Sequence, residues 1–182
     1  MTNLFASLLL SAAVALSATT AFAQATKPAA GKSVSGTDKK FVKDVADLQV
    51  QILHLTDLTS REESPGGPAV KALTKPLAAD LNTGYGELGT LAQAKGAPMP
   101  ETKKDAMEKK TIEGLQKAKP TEFDKLFLKS LEKDVKKLNT MVEGGAKSLT
   151  DAELKGWAEK WAPKLKTHYE AIGQAENEGK KK

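Results

Sequence analysis

Apolar side chains recur every three or four positions along four long stretches of this chain, the period of helices that each bury one stripe. Over residues 37–59 the stripe is Phe41, Val45, Leu48, Ile52 and Leu55. Residues 60–68 contain Pro65, Gly66, Gly67 and Pro68 in succession and predict a loop. A second helix is predicted over 69–95, through Val70, Leu73, Leu77, Leu81, Leu88 and Leu91. Pro76 lacks an amide donor and predicts a bend near the start of this helix. Gly84, Gly86 and Gly89 each weaken it by about 1 kcal/mol relative to alanine, or else admit a close neighbour. The passage from Gly96 to Pro98 and Pro100 stops it.

A shorter, lysine-rich helix is predicted over 101–119, anchored by Met107, Ile112 and Leu115. Thr121 reads as the cap of a third long helix with the stripe Phe123, Phe127, Leu131, Val135, Leu138 and Val142, and Gly144-Gly145 reads as its end. Thr150 with Glu153 forms a capping box for the fourth, whose series is Leu154, Trp157, Trp161, Leu165, His168 and Ile172. Pro163 inside that series predicts a kink or a lost hydrogen bond. No useful length alternates with period two, so strands are not expected. The fold class is therefore all-α, a four-helix bundle over residues 37–174 with an extra short helix between the second and third long ones.

The two ends of the chain read differently. Residues 1–23 carry no Asp, Glu, Lys or Arg, and an apolar run is followed by Ala21-Phe22-Ala23, the small-x-small pattern of a signal-peptide cleavage site. Ser11, Ser17, Thr19 and Thr20 interrupt the run before it reaches a membrane-spanning length. The expectation is export to the periplasm or beyond with cleavage after Ala23, leaving roughly 160 residues, enough for one domain. Residues 24–36 read as a flexible leader and residues 175–182 as a lysine-rich tail.

Cysteine is absent, so neither disulfides nor thiol chemistry is available. The 28 basic residues outnumber the 23 acidic ones, for a net charge of +5. Only Arg61 is an arginine; nucleic-acid recognition, which leans on arginine forks and stacking aromatics, is not expected. Weak attraction to an anionic surface is assigned to Lys180-Lys181-Lys182.

Candidate chemistry is sparse. A ferritin-type di-metal site takes a Glu from each of two helices and Glu-x-x-His from each of the other two. His54 is preceded at that offset by Gln51 and His168 by Leu165, so neither fits. Helical geometry places His168 inside the apolar sector of its helix and points His54 towards solvent. Asp134 falls within an apolar sector and Asp80 at the edge of one. Either aspartate is in a position to hydrogen-bond His168 inside the bundle; the alternative is that all three reach solvent separately at the core edge. Trp157 and Trp161, at i and i+4, read as core. No C-x-x-C-H, no G-x-S-x-G and no glycine-rich phosphate loop occurs.

Several landmarks appear in order: Phe41; Asp80, Glu87-Leu88 and Leu91-Ala92; Lys95-Gly96 with Pro100; Phe123-Asp124 with Phe127; Trp157-Ala158, Pro163, Leu165 and His168. Through them the chain resembles an exported bacterial family, the domain of unknown function numbered 4142, from about Asp38 to Ile172. The resemblance implies a ferritin-like bundle with an Asp-His pair on each of two helices and a further histidine near the end. This sequence has Asp80-Leu81 and Asp134-Val135 instead, and keeps only His168.

The functional expectation is a non-enzymatic exported bundle that binds a protein or an envelope component, without a catalytic residue, cofactor or metal. The alternative is a degenerate ferritin-like binder of a metal ion or small ligand, using His168, Asp134 and Asp80.

Overall fold

The computed structural model describes residues 34–99 and 106–179, and only the backbone of 106–108. The segment read as a signal peptide, most of that read as a leader, the expected start of the short helix, the side chain of Met107 and residues 180–182 lie outside the described residues. Within them are five helices and no strand: α1 (Gly36–Ser60), α2 (Pro68–Ala94), α3 (Ala106–Gln116), α4 (Pro120–Ser148) and α5 (Ala152–Gly179). None is long and apolar enough to cross a membrane.

Local chemistry sets the helix ends. The Ser35 hydroxyl caps α1 by accepting the Asp38 amide at 3.0 Å, and Val34 before it is buried. Packing therefore begins three residues ahead of Thr37, inside the segment read as leader. Pro68 and Pro120 occupy first-turn positions of α2 and α4, where a missing amide costs nothing. The cap of α4 is thus Lys119, and Thr121 lies inside the helix. After α2, Gly96 adopts a left-handed φ of 62°. Its amide donates to the Gln93 carbonyl at 3.3 Å and that of Ala97 to Ala92 at 2.9 Å, a Schellman stop.

At α5 the cap shifts by one residue from the expected Thr150. The Asp151 carboxylate accepts the amides of Glu153 and Leu154 at 3.1 and 3.0 Å. Pro76 and Pro163 lie inside α2 and α5, and both helices are assigned without a break. The carbonyls they leave without a donor belong to Ala72 and Glu159, which occupy exposed positions where water can serve them. Helix α5 also continues to Gly179, beyond Ile172 and into the segment read as tail.

α1 packs against α2 and α4, and α5 packs against the same two, so the four long helices close a ring. Asp38 at the start of α1 bonds Thr150 and Asp151 in the α4–α5 turn. Lys95, just past α2, also reaches Asp151. At the opposite end, the amide of Gly67, before α2, donates to Asp124 near the start of α4 at 2.9 Å. These contacts make every neighbouring pair antiparallel and leave α2 and α4 parallel. The connection between them, which carries α3, must span a helix length of about 40 Å, and α3 packs on α4 as it does so.

The predicted stripes fill the core. Phe123, Phe127, Leu131, Val135, Leu138 and Val142 are all buried, as are Val45, Leu48, Ile52 and Leu55 across the ring. The rings of Phe123 and Phe127 stack with centroids 5.6 Å apart. The expected stop at Gly144-Gly145 does not occur, and α4 continues to Ser148. A Cβ on Gly145 would run into the Phe41 ring of α1, whereas one on Gly144 would meet nothing. The pair thus serves helix approach at one position and ends nothing.

Gly145→Ala should lower stability by about 1–3 kcal/mol in urea unfolding, because the packed ring cannot yield easily. Gly86→Ala, in open space on α2, should raise it by about 0.5–1 kcal/mol.

Candidate functional site

The seam between α2 and α5 holds the largest set of candidate residues. Reading along α2, Asp80, Gly84 and Glu87 share one face, and they meet His168, Lys164, Trp161, Lys160 and Trp157 of the antiparallel α5. His168 Nε2 lies 2.9 Å from Asp80 Oδ2. This bond, then the opposing effect of burial, then the nearby Lys164 ammonium at 3.5 Å act on Asp80, and the net result holds its carboxyl below the ordinary range. Asp80 is therefore ionised near neutrality, and the histidine Nε2–H is the donor.

Two turns further, Trp161 Nε1–H donates to Glu87 at 2.9 Å and Lys160 to the other oxygen of the same carboxylate at 2.6 Å. The lysine and then the indole draw the Glu87 carboxyl down as well. The Lys164 ammonium stands 4.6 Å from the Trp161 ring centroid, in cation–π range. Trp157 Nε1–H donates to the Gly84 carbonyl at 3.2 Å. A Cβ at Gly84 would press within 3.2 Å of both Trp161 and Gln49, so this glycine, unlike Gly86, admits the neighbouring helix.

Asp134 sits on a different seam. It is buried on α4 and accepts Gln51 Nε2–H of α1 at 2.9 Å. His54 is half-buried, a correction to its expected solvent-facing position. α1 is clasped by two helices, so its buried arc is wider than its apolar stripe. Of the three candidate residues, Asp80 and His168 come together, and Asp134 bonds across the α1–α4 seam. Among the described residues no group of three or more His, Asp or Glu side chains is placed to hold a metal ion. Neither histidine is preceded by Glu at the Glu-x-x-His offset, which Gln51 and Leu165 occupy, so that ferritin-type motif does not occur in the sequence.

The sequence profile of the domain of unknown function DUF4142 matches residues 23–175. The chain belongs to that family. No curated protein and no solved structure matches it. In this DUF4142 chain Leu81 and Val135, which follow the two aspartates where the resemblance places imidazoles, are fully buried in the aliphatic core.

The polar residues that organise this DUF4142 bundle most strongly were not candidates in the sequence. Asp38, 1% exposed, accepts the Thr150 hydroxyl at 2.7 Å and the amides of Thr150 and Asp151 at 3.3 and 3.2 Å. Burial opposes its charge, but the Thr150, Ser35 and Asp151 hydrogen bonds outweigh burial and lower its pKa. At Asp151, burial is likewise outweighed by Lys95 and the Leu154 amide, and Asp151 with Glu153 raises the Lys95 pKa. The only sequence signal for Asp38 was an acid in a first helical turn, which reads as a dipole partner. The α2–α5 seam had a clearer trace, acids at i and i+7 on one helix facing bases at i, i+4 and i+8 on the other.

Asp38, Asp80, Glu87 and Asp151 all have lowered folded-state pKa values. Their stabilisation is complete above the ordinary carboxyl values of 3.8 and 4.5 and is lost as pH falls through the lower folded values. Thermal melts should therefore show Tm dropping as pH falls below about 4. Asp38→Asn should cost about 1–2 kcal/mol at neutral pH and reduce that acid loss. His168→Ala should lower Tm at pH 7 and leave the helical circular dichroism spectrum intact; an unchanged Tm would count against the Asp80 bond as a structural tie.

Proposed function

We propose that this protein is an exported, non-catalytic bundle that works in the cell envelope by surface recognition. The observation that carries this reading is where its polar groups are used. Asp38 ties α1 to the α4–α5 turn, Asp80 and Glu87 tie α2 to α5, Asp134 ties α4 to α1, and Lys95 ties the end of α2 to the start of α5. Each bridges two elements, with Asp80, Glu87 and Lys95 joining α2 to α5 and Asp38 and Lys95 meeting at Asp151, so each is spent on another part of the bundle and holds helices in register. The uncharged, apolar residues 1–23 ending in Ala21-Phe22-Ala23 support export. One long crossover between two antiparallel pairs is also the connectivity of ferritin-like bundles, and it supports common architecture without common chemistry.

A second reading, a degenerate binder of a metal ion or small ligand, draws on one observation: the Asp80 side chain is 35% exposed beside His168 and so is reachable from solvent. Two ligands alone make a weak site.

Untagged protein from an exporting host, subjected to amino-terminal sequencing and elemental analysis, separates these. The first reading expects a chain beginning at Gln24 with transition metal far below one equivalent. Near-stoichiometric metal that is lost in His168→Ala would establish the second, and a chain retained unprocessed in the cytoplasm would remove the envelope role.

A further inference from the structure

Charge is distributed unevenly over the four long helices. On α2 the exposed positions are alanine, proline, asparagine, threonine, glycine and glutamine, with Lys75 as the charged exception. On α5 the exposed surface carries both lysines and glutamates, and Lys160, Lys164 and Lys166 each have a carboxylate partner. On α4, every exposed residue from 125 to 140 is a lysine except Leu126 and Thr140. The lysines are Lys125, Lys129, Lys133, Lys136 and Lys137. At about 100° per residue they fall within an arc of about 120°, on a flank about 18 Å long. Of the acids in the same stretch, Asp134 is buried and bonded to Gln51, and Glu132, at the edge of the arc, is half-buried and already engaged. On the α1 side, Asp44 and Asp47 border Lys137 and are held by Lys40 and Lys43.

Leu126 stands in the same arc and is the one large apolar side chain on the exposed surface among the described residues, at 43%. Both apolar stripes flanking it in sequence, Phe123-Phe127 and Leu128-Leu131, are buried. A helix flank is convex, so it meets a plane more readily than it encloses a strand. Lysine ammonium groups are hydrated point charges on flexible stems, suited to a diffuse layer of phosphates, whereas gripping a single phosphate favours arginine. The chain's one arginine, Arg61, lies at the end of α1 and pairs with Asp57.

We propose that the outer flank of α4 docks this protein on a bilayer rich in anionic phospholipid, with the lysines against headgroup phosphates and Leu126 entering the interface. The proposal rests on the envelope role above and names its partner. It also moves the anionic contact from the terminal lysines to a folded surface.

The test is cosedimentation of the full chain with vesicles of about 30% phosphatidylglycerol, or of phosphatidylcholine alone, at low salt. Binding is expected only to the anionic vesicles, and about 0.5 M salt should release it. Lys129→Glu, Lys133→Glu and Lys137→Glu combined should cut partitioning at least about tenfold. Lys75→Glu, Lys155→Glu and Lys166→Glu, an equal charge change on α2 and α5, should cut it less than about threefold. Leu126→Ser should weaken vesicle binding and leave binding to inorganic polyphosphate unchanged. All variants share the same termini, so contributions from either end cancel. Circular dichroism checks folding, and the corresponding glutamine triple replaces the glutamate one if that variant unfolds. Equal losses in the two triples, retained binding in the α4 variant, or a preference for polyphosphate with no dependence on Leu126 would each overturn the proposal. An exported chain that ignores vesicles would sink this inference alone, and an unexported chain that binds them would sink only the envelope role.

Discussion

Three aromatic rings and two glycines link the four long helices. Phe41 of α1 fills the space left by Gly145 on α4, and its ring meets Trp157 of α5 edge-on at 6.3 Å. Trp157 lies 6.3 Å from Trp161 on the same helix, and Trp161 rests against Gly84 of α2. Each step needs a ring on one side and a missing side chain, or another ring, on the other. The constraint is steric: a Cβ at Gly145 or Gly84 would crowd the ring packed against it and press two helices apart. This explains why glycines persist in helices where they cost conformational entropy.

With spacing set by the rings, the polar residues set register. Asp38 at one end of the ring and Asp124 at the other each fasten a connection between two helices, so neither turn can slide along the bundle axis. Between those ends, Asp80 and Glu87 meet His168, Lys164 and Lys160 in antiparallel order along one seam. Asp38, at 1% exposure, is a hydrogen-bonded charge that is costly to break and directional, which apolar contacts are not, whereas the partly exposed pairs along the seam add direction more than energy. The polar groups of the interior thus serve the architecture, and the remaining charge lies on the surface of this DUF4142 member. On that surface α4 departs most clearly from a mixture of charges.

Helix number, the spans of α1 and α2 to within a residue, the buried stripes and the aspartate–histidine pairing as one of two options were all legible in the chain, because each depends on a period or a nearby partner. The misreadings share a physical cause. Gly144-Gly145 looked like a stop because a glycine's helix cost is visible locally and the Phe41 ring that offsets it is not. Thr150 looked like a cap because its hydroxyl has no local claim as strong as the distant Asp38 carboxylate. His54 looked exposed because one stripe was taken to define the buried face, and α1 has two neighbours.

By itself, then, the sequence determined an all-α chain of four amphipathic long helices and one short one, since apolar periodicity is a property of consecutive residues. Tertiary structure decided which helices are neighbours, that Asp80 and not Asp134 meets His168, that Asp38 spans to Thr150, and that the lysines of α4 share an open flank. Those facts depend on residues tens of positions apart, whose approach is settled only when the stripes have closed on one another and excluded water.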